Sequence, residues 1–142
     1  MLNLKYFEKL IALRNAEAPA VNFGIPQPQW LTSHSGIRGA RLAVVINAQG
    51  RRIEVELVME AADMDCLFDS LSRQRECIER ELGFELEWNR GSDVGPRKVV
   101  AYLPNSTPSE YDDWDRQHRW VLKKLQELKD KFSEKINVIR RV

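Results

Sequence analysis

The stretch ARLAVVINAQGRRIEVELVM, residues 40–59, decides the fold. Its second half alternates strictly, with Ile53, Val55 and Leu57 on one face and Glu54 and Glu56 on the other. A period of two is that of a β-strand with one face against a core. Residues 40–47 form the apolar first arm, and Asn47-Ala48-Gln49-Gly50 joins the arms as a hairpin in which Gly50 is able to take positive φ.

Upstream, Asn3 caps a short helix carrying Tyr6, Phe7, Leu10, Ile11 and Leu13, which fades near Arg14 and Asn15. Residues 15–29 contain Pro19, Gly24, Pro26 and Pro28 and read as an irregular connection, followed by a short strand around Trp30-Leu31-Thr32. Downstream, a helix runs from an Asp63 cap to Gly83, which suits a left-handed C-terminal position. Its apolar stripe is Met64, Leu67, Phe68, Leu71, Ile78 and Leu82. Arg75 falls inside that stripe, so a buried arginine is expected there. Burial requires a partner, and an ion pair or a snorkelling stem is favoured over a ligand contact.

A second alternating strand places Phe84, Leu86 and Trp88 opposite Glu85 and Glu87. The loop from Asn89 to Pro96 leads to a last strand, Lys98 to Leu103. Thr107-Pro108-Ser109-Glu110 has the form of a capping box with proline at the first helical position. The helix it opens is predicted to reach about residue 136, with a buried stripe of Tyr111, Trp114, Val121, Leu122, Leu125, Leu128, Phe132 and Ile136. The order α-β-β-β-α-β-β-α predicts an α+β fold, a single two-layer domain over residues 1–142. Its mainly antiparallel sheet is covered on one face and closed by a long C-terminal helix.

Length and composition agree. The 142 residues suffice for one core of ordinary size and not for two stable ones. A 43% apolar and 30% charged chain is neither a disordered nor a membrane sequence. With a net charge of +1 there is no overall field toward nucleic acid or anionic lipid. No apolar run reaches the ~18 residues of a membrane span, and the first residues lack the pattern of a secretory signal. Cys66 and Cys77, eleven residues apart on one expected helix, stand roughly 16 Å from each other and form no disulfide. A cytoplasmic protein is the expectation.

The motifs exclude much. There is no G-x-G-x-x-G and no P-loop, and Gly36 and Gly39 fit a turn between strands better than a phosphate cradle. Cys66, Cys77, His34 and His118 are scattered, which argues against zinc. Asp63, Asp65 and Asp69 lack the glycine and closing glutamate of a calcium loop. The run Thr32-Ser33-His34-Ser35 places serine and histidine as neighbours in a turn, which is no triad. No cofactor is expected. Glu54 and Glu56, with Glu85 and Glu87, form the one weak metal-site alternative, a metal-dependent nucleic-acid hydrolase. The simpler reading is a solvated face balanced by Arg41 and Lys98 across strands.

One surface has a pattern that folding alone does not require. On the last helix Trp120 lies nearly opposite the apolar stripe, flanked by Arg116, Arg119 and Lys123, and followed by Glu127, Asp130 and Glu134. Two such helices, antiparallel about residue 125, set basic residues against acidic ones with Trp120 near the middle. The alternatives are cover of Trp120 by the proline-rich segment, a Lys123–Glu127 pair within one helix, or nucleic acid as the partner.

The ordered set Tyr6-Phe7-Glu8-Lys9-Leu10, Trp30, Gly36, Gly39, Ile53-Glu54-Val55-Glu56-Leu57, Phe68-Asp69-Ser70-Leu71, Arg75, Ile78-Glu79-Arg80-Glu81-Leu82-Gly83, Leu86-Glu87-Trp88, Trp114 and Trp120 resembles the bacterial and archaeal family called domain of unknown function 4268. The likeness spans about residues 4–136. It implies a small protein that stands alone or beside nuclease-like domains, in DNA-related or defence work, and carries no catalytic residues over. The combined expectation is a non-catalytic interaction or accessory module that works through a protein partner or a homodimer. Its surface is the outer face of the C-terminal helix at Arg116, Arg119, Trp120 and Lys123, with nucleic-acid binding as the alternative and no membrane.

Overall fold

The computed structural model describes residues 2–60, 64–91 and 95–140. In chain order the elements are α1 (Leu2–Glu17), β1 (Trp30–Ser33), β2 (Ala40–Asn47), β3 (Arg52–Met59), α2 (Met64–Arg73), α3 (Arg75–Leu82), β4 (Glu87–Asn89), β5 (Arg97–Leu103), a 3₁₀ turn (Tyr111–Asp113) and α4 (Trp114–Arg140). The strands form one antiparallel sheet in the order β1-β2-β3-β5-β4. The α+β expectation holds, with the middle helix divided in two.

The hairpin register follows the alternation. Val44 faces Val55 and Leu42 faces Leu57, while Val45 faces Glu54 and Ala43 faces Glu56 on the opposite side. A shift of one residue would exchange the two sets, so burial of one face fixes the pairing. The turn differs in one respect: Arg51, not Gly50, takes positive φ, at 52°. Asn47 Oδ1 accepts from Gly50 N–H at 2.9 Å, and a Cβ on Gly50 would stand 3.1–3.2 Å from the Asn47 side chain. Glycine serves here for close approach.

The inner face of the sheet meets the helices in one core. Leu31, Val44, Ile53, Val55, Leu57, Val99 and Ala101 pack with Tyr6, Phe7, Leu10, Phe68, Leu71, Ile78, Leu125, Leu128 and Phe132. α4 crosses β3 and also touches α1, α2 and α3, so its 27 residues, about 40 Å at 1.5 Å each, tie the helical layer together.

Several expectations need correction. The helix expected up to Gly83 breaks at Gln74, whose N–H is donated to the Leu71 carbonyl. Arg75, expected in the buried stripe, is instead the first residue of α3 and is exposed, while Leu71 and Ile78 on either side of it stay buried. Among the described residues the buried arginine is Arg97 on β5, 3% exposed, which pairs with Asp65 at 3.1 Å and donates to the Gly95 carbonyl at 2.8 Å. The expected Asp63 cap lies outside the described residues. Gly83 does close the segment in a left-handed conformation, φ 88°, donating to the Glu79 carbonyl.

α4 begins at Trp114, not at Pro108. Thr107 Oγ1 contacts the Ser109 and Glu110 side chains, Glu110 N–H closes a turn on the Thr107 carbonyl, and Arg51 pairs with Glu110. The box therefore makes a turn, and Trp114 Nε1 donates back to the Pro108 carbonyl at 2.7 Å to start the helix. At the other end of the chain Asn3 lies inside α1 and donates to the Pro28 carbonyl, and the helix continues to Glu17.

Tyr6 and Gln117 lock α1 to α4. Both are fully buried, and the phenol donates to Gln117 Oε1 at 2.7 Å. Tyr6→Phe leaves that oxygen buried and unsatisfied, and is expected to lower unfolding free energy by about 1–3 kcal/mol in urea titration. Beside them His118 is 3% exposed, its ring 4.3 Å from that of Tyr6. Burial pushes its pKa down to about 4, against a backbone hydrogen bond to Tyr6 that pulls the other way.

Candidate functional site

The sheet face turned away from the helices is built in rows. Arg41, Val58 and Lys98 are cross-strand neighbours, then Thr32, Ala43, Glu56, Val100 and Glu87, then Trp30, Val45, Glu54 and Tyr102. Ala43, Val58 and Val100 are buried although they take no part in the core under the helices. Long side chains border them. Arg52 lies over the Tyr102 ring at 4.1 Å and grips Glu87 through two hydrogen bonds of 3.0 Å.

Glu54 and Glu56 sit in the middle, 6% and 5% exposed, so the expected solvated face is corrected to a buried carboxyl pair. Burial raises Glu54, but hydrogen bonds from Glu56, Asn47 and Arg52 outweigh it and hold the group below its ordinary value. Burial and the hydrogen bond that Glu56 donates to Glu54 push Glu56 up to about 7, with Lys98 opposing at 3.5 Å. Arg41 does not balance them, since it pairs with Glu60 at 3.0 Å. Among the described residues no group of three or more His, Cys, Asp or Glu is placed to hold a metal. Glu87 is taken by Arg52, and Glu85 lies outside the strands. A concavity of about 280 Å³ opens beside the pair, lined by Gln29, Trp30, Arg41, Ala43, Val45, Glu56, Val58 and Lys98.

The second surface is the flank of α4. Arg116 makes two 2.6 Å hydrogen bonds to Asp113 and one to Ser106, and Arg119 pairs with Asp115 at 2.9 Å and with Glu17 of α1. Trp120 is half-buried and packs against the edge of the core. Lys123 is exposed and makes no ion pair among the described residues, while Glu127 pairs with Lys124, not Lys123, at 3.0 Å. Arg119 and Lys123 line a groove of about 560 Å³ with Leu122, Gln126 and Glu127 on one side and Glu17, Ala18, Pro19 and Ala20 on the other. The proline-bearing segment thus faces Arg119, Leu122 and Lys123 across the groove. Arg116 stands apart, beside Glu110 to Asp113. The four residues share a helix flank without forming one patch.

A family model described as a domain of unknown function, DUF4268, matches residues 2–136. The chain belongs to the DUF4268 family. No curated protein and no solved structure matches it. The match places both surfaces of this DUF4268 chain inside the family region. Among the described residues, no helix of it is long and apolar enough to cross a membrane. Sequence reading missed the concavity because Trp30, Arg41 and Lys98 come from three strands. The usable signal was the alternation on those strands, which sets all three on one face with Glu56.

Proposed function

We propose that this DUF4268 domain is a non-catalytic interaction module that receives a segment of a partner protein on the flank of α4, in the groove at Arg119 and Lys123, with Trp120 beside it on the helix and Arg116 outside it. The groove between α4 and residues 17–20 carries the reading: its apolar lining of Ala18, Pro19, Ala20 and Leu122 is rimmed by Lys123, a cation without an ion pair among the described residues. Such a groove suits an apolar segment bearing an acidic residue. A DNA-related or defence setting, with a nuclease-like protein as the partner, follows from the family resemblance.

The other readings have less behind them. Direct nucleic-acid binding asks for free cations, and Arg116 and Arg119 are neutralised by Asp113, Asp115 and Glu17. A metal-dependent hydrolase at Glu54 and Glu56 asks for open carboxylates, and both are engaged by Arg52, Lys98 and each other. The test is a photo-crosslinking residue at Lys123 in the host cell, with the same residue at Glu76 as control. A partner adduct from position 123 that Ala20→Arg abolishes is the expected result, and an adduct between two copies identifies the homodimer form. No adduct above the control, or DNA binding that weakens steeply with salt, overturns the proposal.

A further inference from the structure

The concavity on the open sheet face is separate from the α4 groove and has a chemistry of its own. Arg41, Val58 and Lys98 are successive neighbours across β2, β3 and β5. Two interstrand spacings put the cationic residues roughly 10 Å apart at Cα, with Val58 between them. Both side chains line the concavity. Ala43, Val45 and Val58 give it an apolar floor, Trp30 stands at one side with its residue 44% exposed, and Gln29 adds an amide.

The charges do not cancel. Glu60 compensates Arg41 at 3.0 Å, whereas the Lys98 contact to Glu56 is long, 3.5 Å. Glu56 shares a proton with Glu54, and burial first, then that hydrogen bond, hold it neutral up to about pH 7. Lys98 is therefore only partly compensated where it faces the apolar floor. Arg41 Nε is buried and has no hydrogen-bond partner among the described residues.

We infer that this concavity binds a small aromatic carboxylate, its carboxylate held between Arg41 and Lys98 and its ring against Trp30 and Val45. Cations on both sides exclude an amine, since burying a like charge among them is costly. A planar carboxylate suits the guanidinium fork, and the apolar floor with its indole takes a ring. At about 280 Å³ the space is that of a one- or two-ring molecule, just under the ~300 Å³ at which drug-sized sites begin.

The probe is 1-naphthoate, titrated into the full chain and followed by the indole N–H signal of Trp30 in ¹H–¹⁵N spectra. A saturable shift at Trp30, with companion shifts at Val58 and Lys98, is expected. Arg41→Met and Lys98→Met are each expected to weaken binding about tenfold, the effect of one charge-assisted hydrogen bond, while the rest of the spectrum stays native. 1-Naphthalenemethanol, with the same ring and no charge, is expected to bind at least about tenfold more weakly for the same reason. No saturable shift at millimolar naphthoate overturns the inference. So does equal binding by both methionine variants or by the alcohol, or displacement by equimolar inorganic phosphate, which would show that any anion suffices.

Discussion

Phe132→Ala removes about 3–5 kcal/mol of unfolding free energy, the range for a fully buried phenylalanine replaced by alanine. Phe132 is 0% exposed in the C-terminal half of α4, with the Trp88 ring 6.0 Å away and Phe68 beyond that, 6.2 Å from Trp88. The three rings join α4, β4 and α2. Their gap cannot close by a local shift, because α4 also packs on β3 and is held on α1 through Gln117. The loss therefore combines the transfer of a ring to water with a cavity that stays open. Domains of this kind have about 5–15 kcal/mol in all, so the variant should lose a third or more of it. Urea titration should show a lower midpoint at an unchanged slope. Val138→Ala on the same helix, at a position 57% exposed, is the control and is expected to change stability by less than about 0.5 kcal/mol. A Phe132→Ala loss below that of the control would mean that α4 does not close the core.

Glu56→Gln is expected to stabilise the fold by roughly 1–3 kcal/mol at pH 8 and to leave it unchanged near pH 4, since each unit of pKa shift is about 1.4 kcal/mol. The folded Glu56 holds its proton up to about pH 7, against an ordinary value of 4.5, because it is buried and donates to Glu54. The stability linked to that proton is complete below 4.5 and is lost as the pH rises to about 7. Glutamine keeps the donor without the titration, so the variant loses this slope. His118 slopes the other way. Its pKa is lowered by burial from 6.5 to about 4, so the stability of its neutral form is complete above 6.5 and is lost as the pH falls to about 4. In the native chain the two slopes oppose between about 4.5 and 6.5, and a nearly flat profile results. Glu56→Gln uncovers the histidine slope: midpoints should fall as the pH drops from 6.5 to 4. Glu54 is held below its ordinary value, so its contribution is lost only further down, below 4.5. Urea midpoints at pH 4, 5, 6, 7 and 8 check this. A parallel displacement of the two profiles would show that Glu56 does not hold the proton.

What could be read in advance depended on how local the cause was. Two-residue alternation over 52–59 gave both the strand and its faces, because register and burial follow from the pleat. The stripe of Val121, Leu125, Leu128, Phe132 and Ile136 gave the docking face of α4, because 3.6-residue periodicity is a property of the helix itself. The break at Gln74 left no such mark. Arg75 opens the new helix and lies in solvent, and among the described residues the buried arginine is Arg97, held by Asp65 from another element. The capping box at Thr107 carries a start signal, yet Arg51 from the hairpin turn pairs with Glu110 and the helix starts later.

The sites show the same division. Sequence alone determined that Glu54 and Glu56 share a face, that Arg116, Arg119, Trp120 and Lys123 share a helix flank, and that β2 and β3 pair, since each follows from backbone period over a few residues. Only the tertiary structure decided what those groups are worth chemically. Glu17, 102 residues away in sequence, neutralises Arg119, and the 17–20 segment turns the helix flank into a groove. Trp30, Arg41 and Lys98, from three strands, surround a carboxyl that burial keeps protonated. Charge state and concavity depend on distance in space, and sequence order carries that distance only within an element.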